Sequence, residues 1–103
     1  MQLNEDDINQ SATNQITKAK VRRGAFDYCT SLNYVELPYG ITALEEKAFY
    51  FCYTLNDIKI PKSVVKIEKD AFNYCRSLKT IKVSELCQFA KDWTDQTIKV
   101  TYY

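Results

Sequence analysis

The chain has 103 residues, of which 46% are hydrophobic and 26% are charged, and its formal net charge is +1. This size and composition are typical of one globular domain. The near-neutral charge gives no electrostatic basis for binding nucleic acid or an acidic membrane surface. No apolar run is long enough to insert into a membrane. The absence of histidine argues against catalytic triads and most metal chemistry, so we expect no enzyme activity and no cofactor.

The first 24 residues are predicted to form a polar N-terminal tail and a degenerate first coil. The chain begins MQLNEDDINQSATNQ, which lacks the basic start and the apolar run of a secretory signal. We therefore expect a cytoplasmic location. A location at the cell surface would follow if the chain is a truncated piece of a protein with an upstream signal.

Residues 25–83 are predicted to be the repeat core. Three copies of one unit begin at Ala25, Ala48 and Ala71, which gives a period of 23 residues. The copies share the pattern A-F-x-x-C-x-x-L-x-x-(V/I)-x-(L/I/V). A fixed period in this range is typical of a solenoid, in which equivalent residues of successive coils form columns.

One short strand per repeat is predicted where apolar and polar residues alternate, in the stretches Tyr34–Leu37, Asp57–Ile60 and Thr80–Val83. Pro38 and Pro61 follow the first two stretches and end them, because proline cannot donate to a strand ladder. A strand that returns to the same edge in each coil must be parallel to its neighbours. The return path is too short for a full helix, so we expect a single helical or 3-10 turn on the other face.

Residues 84–103 depart from the repeat and are predicted to form a C-terminal cap of one helix and one strand. The apolar residues of ELCQFAKDW are spaced i, i+3, i+4, i+7, as on one face of a helix, and Ser84 before them is a favourable N-cap. Thr97–Tyr103 then alternates as a last strand. The edge of this strand could support a homo-oligomer.

The cysteines favour structural roles. Cys29, Cys52 and Cys75 hold the same place in successive repeats, whereas Cys87 does not. Three residues in one column cannot pair off, so we interpret them as small buried hydrophobic residues with weak S–H donors. There is no C-x-x-C motif of the kind that binds zinc. Free thiols fit a reducing compartment.

The outward positions of the predicted strands are the best candidates for partner binding. They form two columns, and we expect Lys99 to extend the second. The first column contains Tyr34, Asp57 and Thr80, and the second contains Glu36, Lys59 and Lys82. A rigid sheet that presents varied polar and aromatic side chains suits protein recognition, although the same residues could be simply the solvated side of a half-buried sheet.

A further column, Tyr28, Phe51 and Tyr74, lies just before the cysteines. We interpret these rings as repeat packing between turns. If they were exposed together, they would form an apolar patch of the kind that marks an interface.

The repeated segments AFDYCTSLNYVELP, AFYFCYTLNDIKIPKSVVKIEKDAF and AFNYCRSLKTIKV resemble the leucine-rich repeats of BspA-like surface proteins of bacteria and protists. The family repeat, AF-x-x-C-x-x-L-x-x-I-x-I-P-x-x-V-x-x-I, has the same period, and the resemblance covers about Val21–Val83. It implies a leucine-rich-repeat solenoid with parallel strands on one face and tight turns on the other. It also implies adhesion or interaction rather than catalysis.

These observations favour a non-enzymatic module that binds a partner protein through the strand face. Because no signal is visible, we expect an intracellular partner that the module inhibits or bridges as an adaptor. The alternative is an adhesin-type domain at a bacterial surface that contacts host or matrix proteins. A role on nucleic acid would depend on Lys59, Lys82 and Lys99 and is not favoured by the net charge.

Overall fold

The computed structural model describes residues 20–103, so most of the predicted N-terminal tail and first coil lies outside the described residues. Eight short strands follow one another in this part of the chain. They are β1 (Lys20–Val21), β2 (Tyr34–Glu36), β3 (Ala43–Leu44), β4 (Asp57–Lys59), β5 (Lys66–Ile67), β6 (Thr80–Val83), β7 (Gln88–Phe89) and β8 (Lys99–Tyr102).

The chain winds as a β-solenoid of about four turns in which neighbouring strands are parallel. The prediction of one strand per repeat was wrong, because each coil contains two. The odd-numbered strands form one sheet in the order β1-β3-β5-β7. The even-numbered strands form the opposite surface, which we call the strand face. The second strand was missed because only two residues per coil form it, too few for an alternation to be visible in the sequence.

The strand face consists of two ladders, β2 with β4 and β6 with β8. In the first ladder Tyr34 is opposite Asp57, and Glu36 is opposite Lys59, so the register equals the 23-residue period. β4 and β6 are neighbours but do not form a ladder. The strand face therefore has a discontinuity in its middle.

Tight turns connect the strands. Single turns closed by hydrogen bonds between residues three apart are present, such as Asp27 amide to Gly24 carbonyl at 3.2 Å and Cys75 amide to Phe72 carbonyl at 3.3 Å, but residues 20–103 contain no continuous helix. The reason is the direction of the backbone donors. The amide of Phe26 donates to the carbonyl of Ala48 in the next coil, and the amide of Phe49 donates to that of Ala71, at 2.8 and 2.9 Å. Amides that bond between coils cannot also maintain a helical ladder. Left-handed backbone at Lys47 and other turn positions also interrupts any helical run.

Counted as successive strand pairs from β1–β2, the coils number four, and the C-terminal segment with β7 and β8 is a shortened fourth coil. The predicted helix after Ser84 was wrong. β7 pairs with β5, with Gln88 opposite Lys66, and β8 pairs with β6, with Lys99 opposite Thr80. These registers correspond to 22 and 19 residues instead of 23. The unpaired edge of β5 offers a full set of backbone partners, whereas a helix of two or three turns is marginal alone. Tertiary pairing thus overrides the local helical pattern.

The core consists of columns that run through the coils. The rings of Phe26, Phe49 and Phe72 stack at centroid distances of 5.2 and 5.5 Å, and Trp93 ends the column edge-on at 6.1 Å. Leu55 and Leu78 are buried beside them, together with inward strand residues such as Ile58 and Ile81. At the N-terminal end, Phe26 is only partly buried. Its inner side stacks on Phe49, whereas no ring among the described residues stacks on its outer side.

The cysteine column lies beside the phenylalanine column, and all four thiols are free. The Cys52 thiol donates to the carbonyl of Phe26 at 3.1 Å, and the Cys75 thiol donates to that of Phe49 at 3.0 Å. Each thiol therefore satisfies a carbonyl of the preceding coil. This weak donor in an apolar setting is the role that the sequence suggested.

The C-terminal end of the stack is covered by polar side chains. Thr94 donates to the carbonyl of Phe72 at 3.3 Å, and Asp95 accepts the amide of Tyr74 at 2.9 Å. The Gln96 amide donates to the carbonyls of Cys75 and Leu78. These residues satisfy backbone groups of the third coil that an additional coil would otherwise satisfy.

Candidate protein-interaction surface

The structure places all six predicted site residues on the strand face. The even-numbered strands point their apolar residues, such as Val35 and Ile58, into the core, so the residues between them point outward. Tyr34 and Glu36 are half-buried, and the other four are exposed: Asp57, Lys59, Thr80 and Lys82.

Tyr34, Glu36 and Lys59 form a connected group on the N-terminal half of the strand face. The Tyr34 hydroxyl donates to Glu36 Oε1 at 3.2 Å, and Lys59 Nζ lies 3.9 Å from Glu36 Oε2. Partial desolvation, followed by the hydrogen bond to Glu36 and the nearby carboxylates, raises the pKa of Tyr34. The phenol therefore remains a protonated donor through the physiological range. Such an exposed ion pair contributes less than about 1 kcal/mol, so its main effect is to orient the side chains.

The register of β8 corrects the expected position of Lys99. Lys99 lies opposite Thr80, and Thr101 lies opposite Lys82. Lys99 therefore extends the first column, behind Asp57 and Thr80, and Thr101 extends the second. The error arose because the fourth coil is four residues shorter between these strands than the repeat period predicts.

A second group on the strand face was not predicted from the sequence. The ring of Tyr103 lies beside two lysines, with Lys82 Nζ 4.9 Å and Lys62 Nζ 5.6 Å from its centroid. The Tyr103 hydroxyl donates to the carbonyl of Ile60 at 2.6 Å, and its amide donates to the carbonyl of Val83 at 3.0 Å. We call Tyr103, Lys62 and Lys82 the tyrosine clamp.

A shallow cleft of about 250 Å³ adjoins the tyrosine clamp. Its lining consists of Lys62, Ser84, Glu85, Leu86 and Tyr103. Leu86 is 75% exposed, although it is a large apolar residue. The cleft therefore combines cationic, anionic and apolar groups within one small surface.

The aromatic column on the turn side is both packed and partly exposed. Phe51 stacks between Tyr28 and Tyr74, at centroid distances of 4.8 and 4.4 Å, and Tyr50 and Tyr53 contact it edge-on. Tyr28 is 59% exposed, whereas Phe51 and Tyr74 are half-buried. The packing interpretation therefore fits Phe51 and Tyr74, and the exposed ring is confined to the N-terminal end.

Acidic residues on the opposite side of the solenoid form ordinary surface ion pairs. Glu45 lies 3.9 Å from Lys20, and Glu46 lies 3.5 Å from Arg23, so the carboxylates pair between coils. Within residues 20–103, no three histidine, cysteine, aspartate or glutamate side chains are grouped as a metal site would need. The same residues contain no helix that is long and apolar enough to cross a membrane.

Comparison with known proteins agrees with this architecture. A family model described as the BspA type leucine-rich repeat region matches residues 6–97 in six copies. The chain is similar to a leucine-rich repeat protein of T. pallidum, with 28% identity and a TM-score of 0.61 over 69% of the chain. It is also similar in fold to a leucine-rich repeat protein from Bacteroides ovatus, with 21% identity and a TM-score of 0.72 over 99% of the chain.

The chain spans 39% of the T. pallidum structure and 30% of the Bacteroides ovatus structure, so it matches only part of each. No curated protein is significantly similar to it. The family match includes residues 84–97, which the sequence pattern had excluded from the repeat. This agrees with the shortened fourth coil.

Proposed function

From the premise that the chain belongs to the BspA-type leucine-rich repeat family, we propose that it is a non-enzymatic module that binds a partner protein through the strand face. The observation that carries the proposal is the pair of outward columns on strands whose inward residues are buried. Asp57, Thr80 and Lys82 project from positions whose strand neighbours Ile58 and Ile81 are buried. The strand backbone that carries these side chains is already ordered, so binding does not require the backbone to lose freedom, which favours affinity.

The kind of partner that we favour is an intracellular protein that the module inhibits or bridges to another protein. The strand face has both signs of charge, with Glu36 and Asp57 towards the N-terminal end and Lys82 and Lys99 towards the other. A surface with separated charges selects the orientation of a partner and disfavours unspecific polyanions. This mixed pattern supports protein recognition over nucleic acid binding.

The second candidate is an adhesin-type domain at a bacterial surface, in contact with host or matrix proteins. The length of the solved relatives supports it, since each continues well beyond the region that this chain matches. A longer array presents a larger surface of the same kind, as adhesion to extended matrix proteins requires.

The proposal is tested by affinity capture from cell lysate and from surface extract. The bait is the wild type, or a Tyr34→Ala/Lys59→Glu/Lys82→Glu variant that circular dichroism shows to be folded. Lys66→Glu/Lys91→Glu is the control, because both lysines are exposed outside the strand face. We expect one partner that the control retains and the strand-face variant loses. Equal capture by all three proteins would refute the strand face as the site.

The two fractions separate the two candidates. Capture of a single protein from the lysate favours an inhibitor or adaptor. Capture from surface or matrix material alone favours the adhesin. In both cases the loss with the strand-face variant, and not the capture itself, identifies the binding surface.

A further inference from the structure

The tyrosine clamp fixes two cationic side chains at the carboxyl ends of the strands. The Tyr103 ring is anchored through its hydroxyl on Ile60 and through its backbone on Val83. Ammonium groups are attracted to the negative face of an aromatic ring, so the ring restrains both Lys62 Nζ and Lys82 Nζ, which lie 5.6 and 4.9 Å from its centroid. The two charges are therefore positioned before any partner arrives.

The lysines of the tyrosine clamp also have no ion pair within the described part of the chain. Lys59 has an ion pair with Glu36, whereas Lys62, Lys82 and Lys99 form none with a carboxylate among residues 20–103. A carboxylate that approached either ammonium group would be attracted to it and would have no bound carboxylate to displace. The C-terminal half of the strand face is thus complementary to negative charge.

The cleft beside the clamp adds an apolar requirement. Leu86 and the Tyr103 ring form its apolar surface, and Lys62 lies at its margin. A segment with a carboxylate beside an apolar side chain would place the first on the lysines and the second on Leu86. Neither a purely acidic nor a purely apolar segment would use both parts of this surface.

We propose that the tyrosine clamp and its cleft bind an acidic protein segment in which Asp or Glu adjoins an apolar residue. This inference rests on the proposed function, because it names the chemistry of the partner on the strand face. The near-neutral charge of the chain disfavours nucleic acid, because its many phosphates require an extended basic surface.

The experiment is selection of a random twelve-residue peptide library on the immobilised full-length chain, followed by fluorescence anisotropy with the enriched peptides. We expect enrichment of Asp or Glu next to Leu, Ile, Phe or Tyr. Lys62→Glu/Lys82→Glu should weaken binding at least about tenfold. Lys66→Glu/Lys91→Glu, which makes the same charge change outside the strand face, should not. Raising salt from about 50 to about 500 mM should weaken binding several-fold.

Tyr103→Phe is the milder test, because it keeps the ring and removes only the anchor on Ile60. We expect an intermediate loss of peptide affinity with little change in the circular dichroism spectrum. Unchanged peptide affinity in the Lys62→Glu/Lys82→Glu variant would overturn the inference. Failure to enrich any peptide, or enrichment of peptides without Asp or Glu, would also overturn it.

Two further outcomes separate this inference from the proposed function. Peptides could bind the Lys62→Glu/Lys82→Glu variant as tightly as the wild type but fail to bind a Tyr34→Ala/Asp57→Ala variant. That result would leave the strand face as the site and refute the acidic-segment inference. Peptides that bind every variant equally would refute both. Displacement of the peptides by a single-stranded oligonucleotide of equal charge would show a general polyanion surface and so refute the selectivity for protein.

Discussion

The phenol of Tyr103 donates a 2.6 Å hydrogen bond to the carbonyl of Ile60, which lies 43 residues earlier in the chain. Ile60 follows β4 and Tyr103 follows β8, so this contact crosses the third coil. It connects the β2–β4 ladder with the β6–β8 ladder, which no strand pairing joins. A single side chain therefore spans the discontinuity of the strand face.

Removal of this hydroxyl should destabilise the fold measurably. Tyr103→Phe deletes one hydrogen bond and leaves the Ile60 carbonyl without that donor, which costs about 1 kcal/mol. For a domain of this size, this corresponds to a fall in Tm of roughly 4–8 °C. Differential scanning calorimetry measures it. Tyr102→Phe is the matched control, since Tyr102 is 51% exposed and its hydroxyl has no hydrogen bond among residues 20–103; equal effects of the two substitutions would contradict the assignment.

The middle of the phenylalanine column should be more sensitive than its N-terminal end. Phe49 is fully buried between two stacked rings, whereas Phe26 has a stacked ring on one side only. Phe49→Ala should lower the free energy of unfolding by about 3–5 kcal/mol. Phe26→Ala should cost about half as much, because less of its surface is buried. Urea unfolding followed by circular dichroism gives both values, and a larger loss at Phe26 would show that its outer side is covered.

Substitution by glycine should have different effects on stability at two aromatic residues with left-handed backbone. Phe51 has φ of +62° and Tyr28 has φ of +57°, a region where a side chain costs about 1 kcal/mol relative to glycine. Phe51→Gly relieves that cost but loses two stacked and two edge-on ring contacts, so we expect a net loss of about 2 kcal/mol. Tyr28→Gly should be nearly neutral, because Tyr28 is mostly exposed. Thermal unfolding distinguishes them, and equal losses would show that ring stacking is not the deciding effect.

Stability should decrease in alkali because of a buried thiol. Burial raises the pKa of Cys87 from 9.0 to about 11. The unfolded chain therefore loses this proton above pH 9 while the folded chain retains it, so the contribution is complete below pH 9 and is lost as pH rises towards 11. Each pKa unit corresponds to about 1.4 kcal/mol, so the shift sets an upper limit of roughly 3 kcal/mol, reached only above pH 11.

The measurement for Cys87 is the urea midpoint between pH 8 and pH 11. Cys87→Ala serves as the comparison, because the other thiols and the tyrosines titrate in both proteins. We expect the variant to be less stable at pH 8 and to show a shallower decline above pH 9. Parallel declines would mean that Cys87 is as accessible in the folded chain as in the unfolded one.

The solenoid and its core could be predicted from the sequence because they depend on repetition. Phe26, Phe49 and Phe72 recur at one spacing, as do the buried strand residues Val35, Ile58 and Ile81, so their columns can be derived without a structure. The fold class and the family were confirmed on this basis. The outward position of the strand-face residues follows from the same alternation. Their role in binding stays a prediction.

Other features depend on contacts that leave no local pattern. β7 forms because Gln88 and Ala90 donate to the carbonyls of Val65 and Ile67 at 2.9 Å, while the sequence around them is spaced like a helix. The tyrosine clamp depends on a 43-residue separation and on the shortened fourth coil, neither of which the period encodes. The site predicted from the sequence was therefore incomplete at its C-terminal end, where the repeat itself changes.

The polar residues at the C-terminal end distinguish the last coil from the interior coils, where an additional repeat would fit. Thr94, Asp95 and Gln96 bond to backbone groups of the third coil through their side chains, whereas earlier coils bond backbone to backbone at these turns. Between Lys47 and Ala48, by contrast, a duplicated 23-residue unit would meet matching phenylalanine, cysteine and leucine columns on both sides. Modular expansion of such a chain is therefore compatible with its interior, and the last coil would keep the same terminal surface whatever the number of repeats before it.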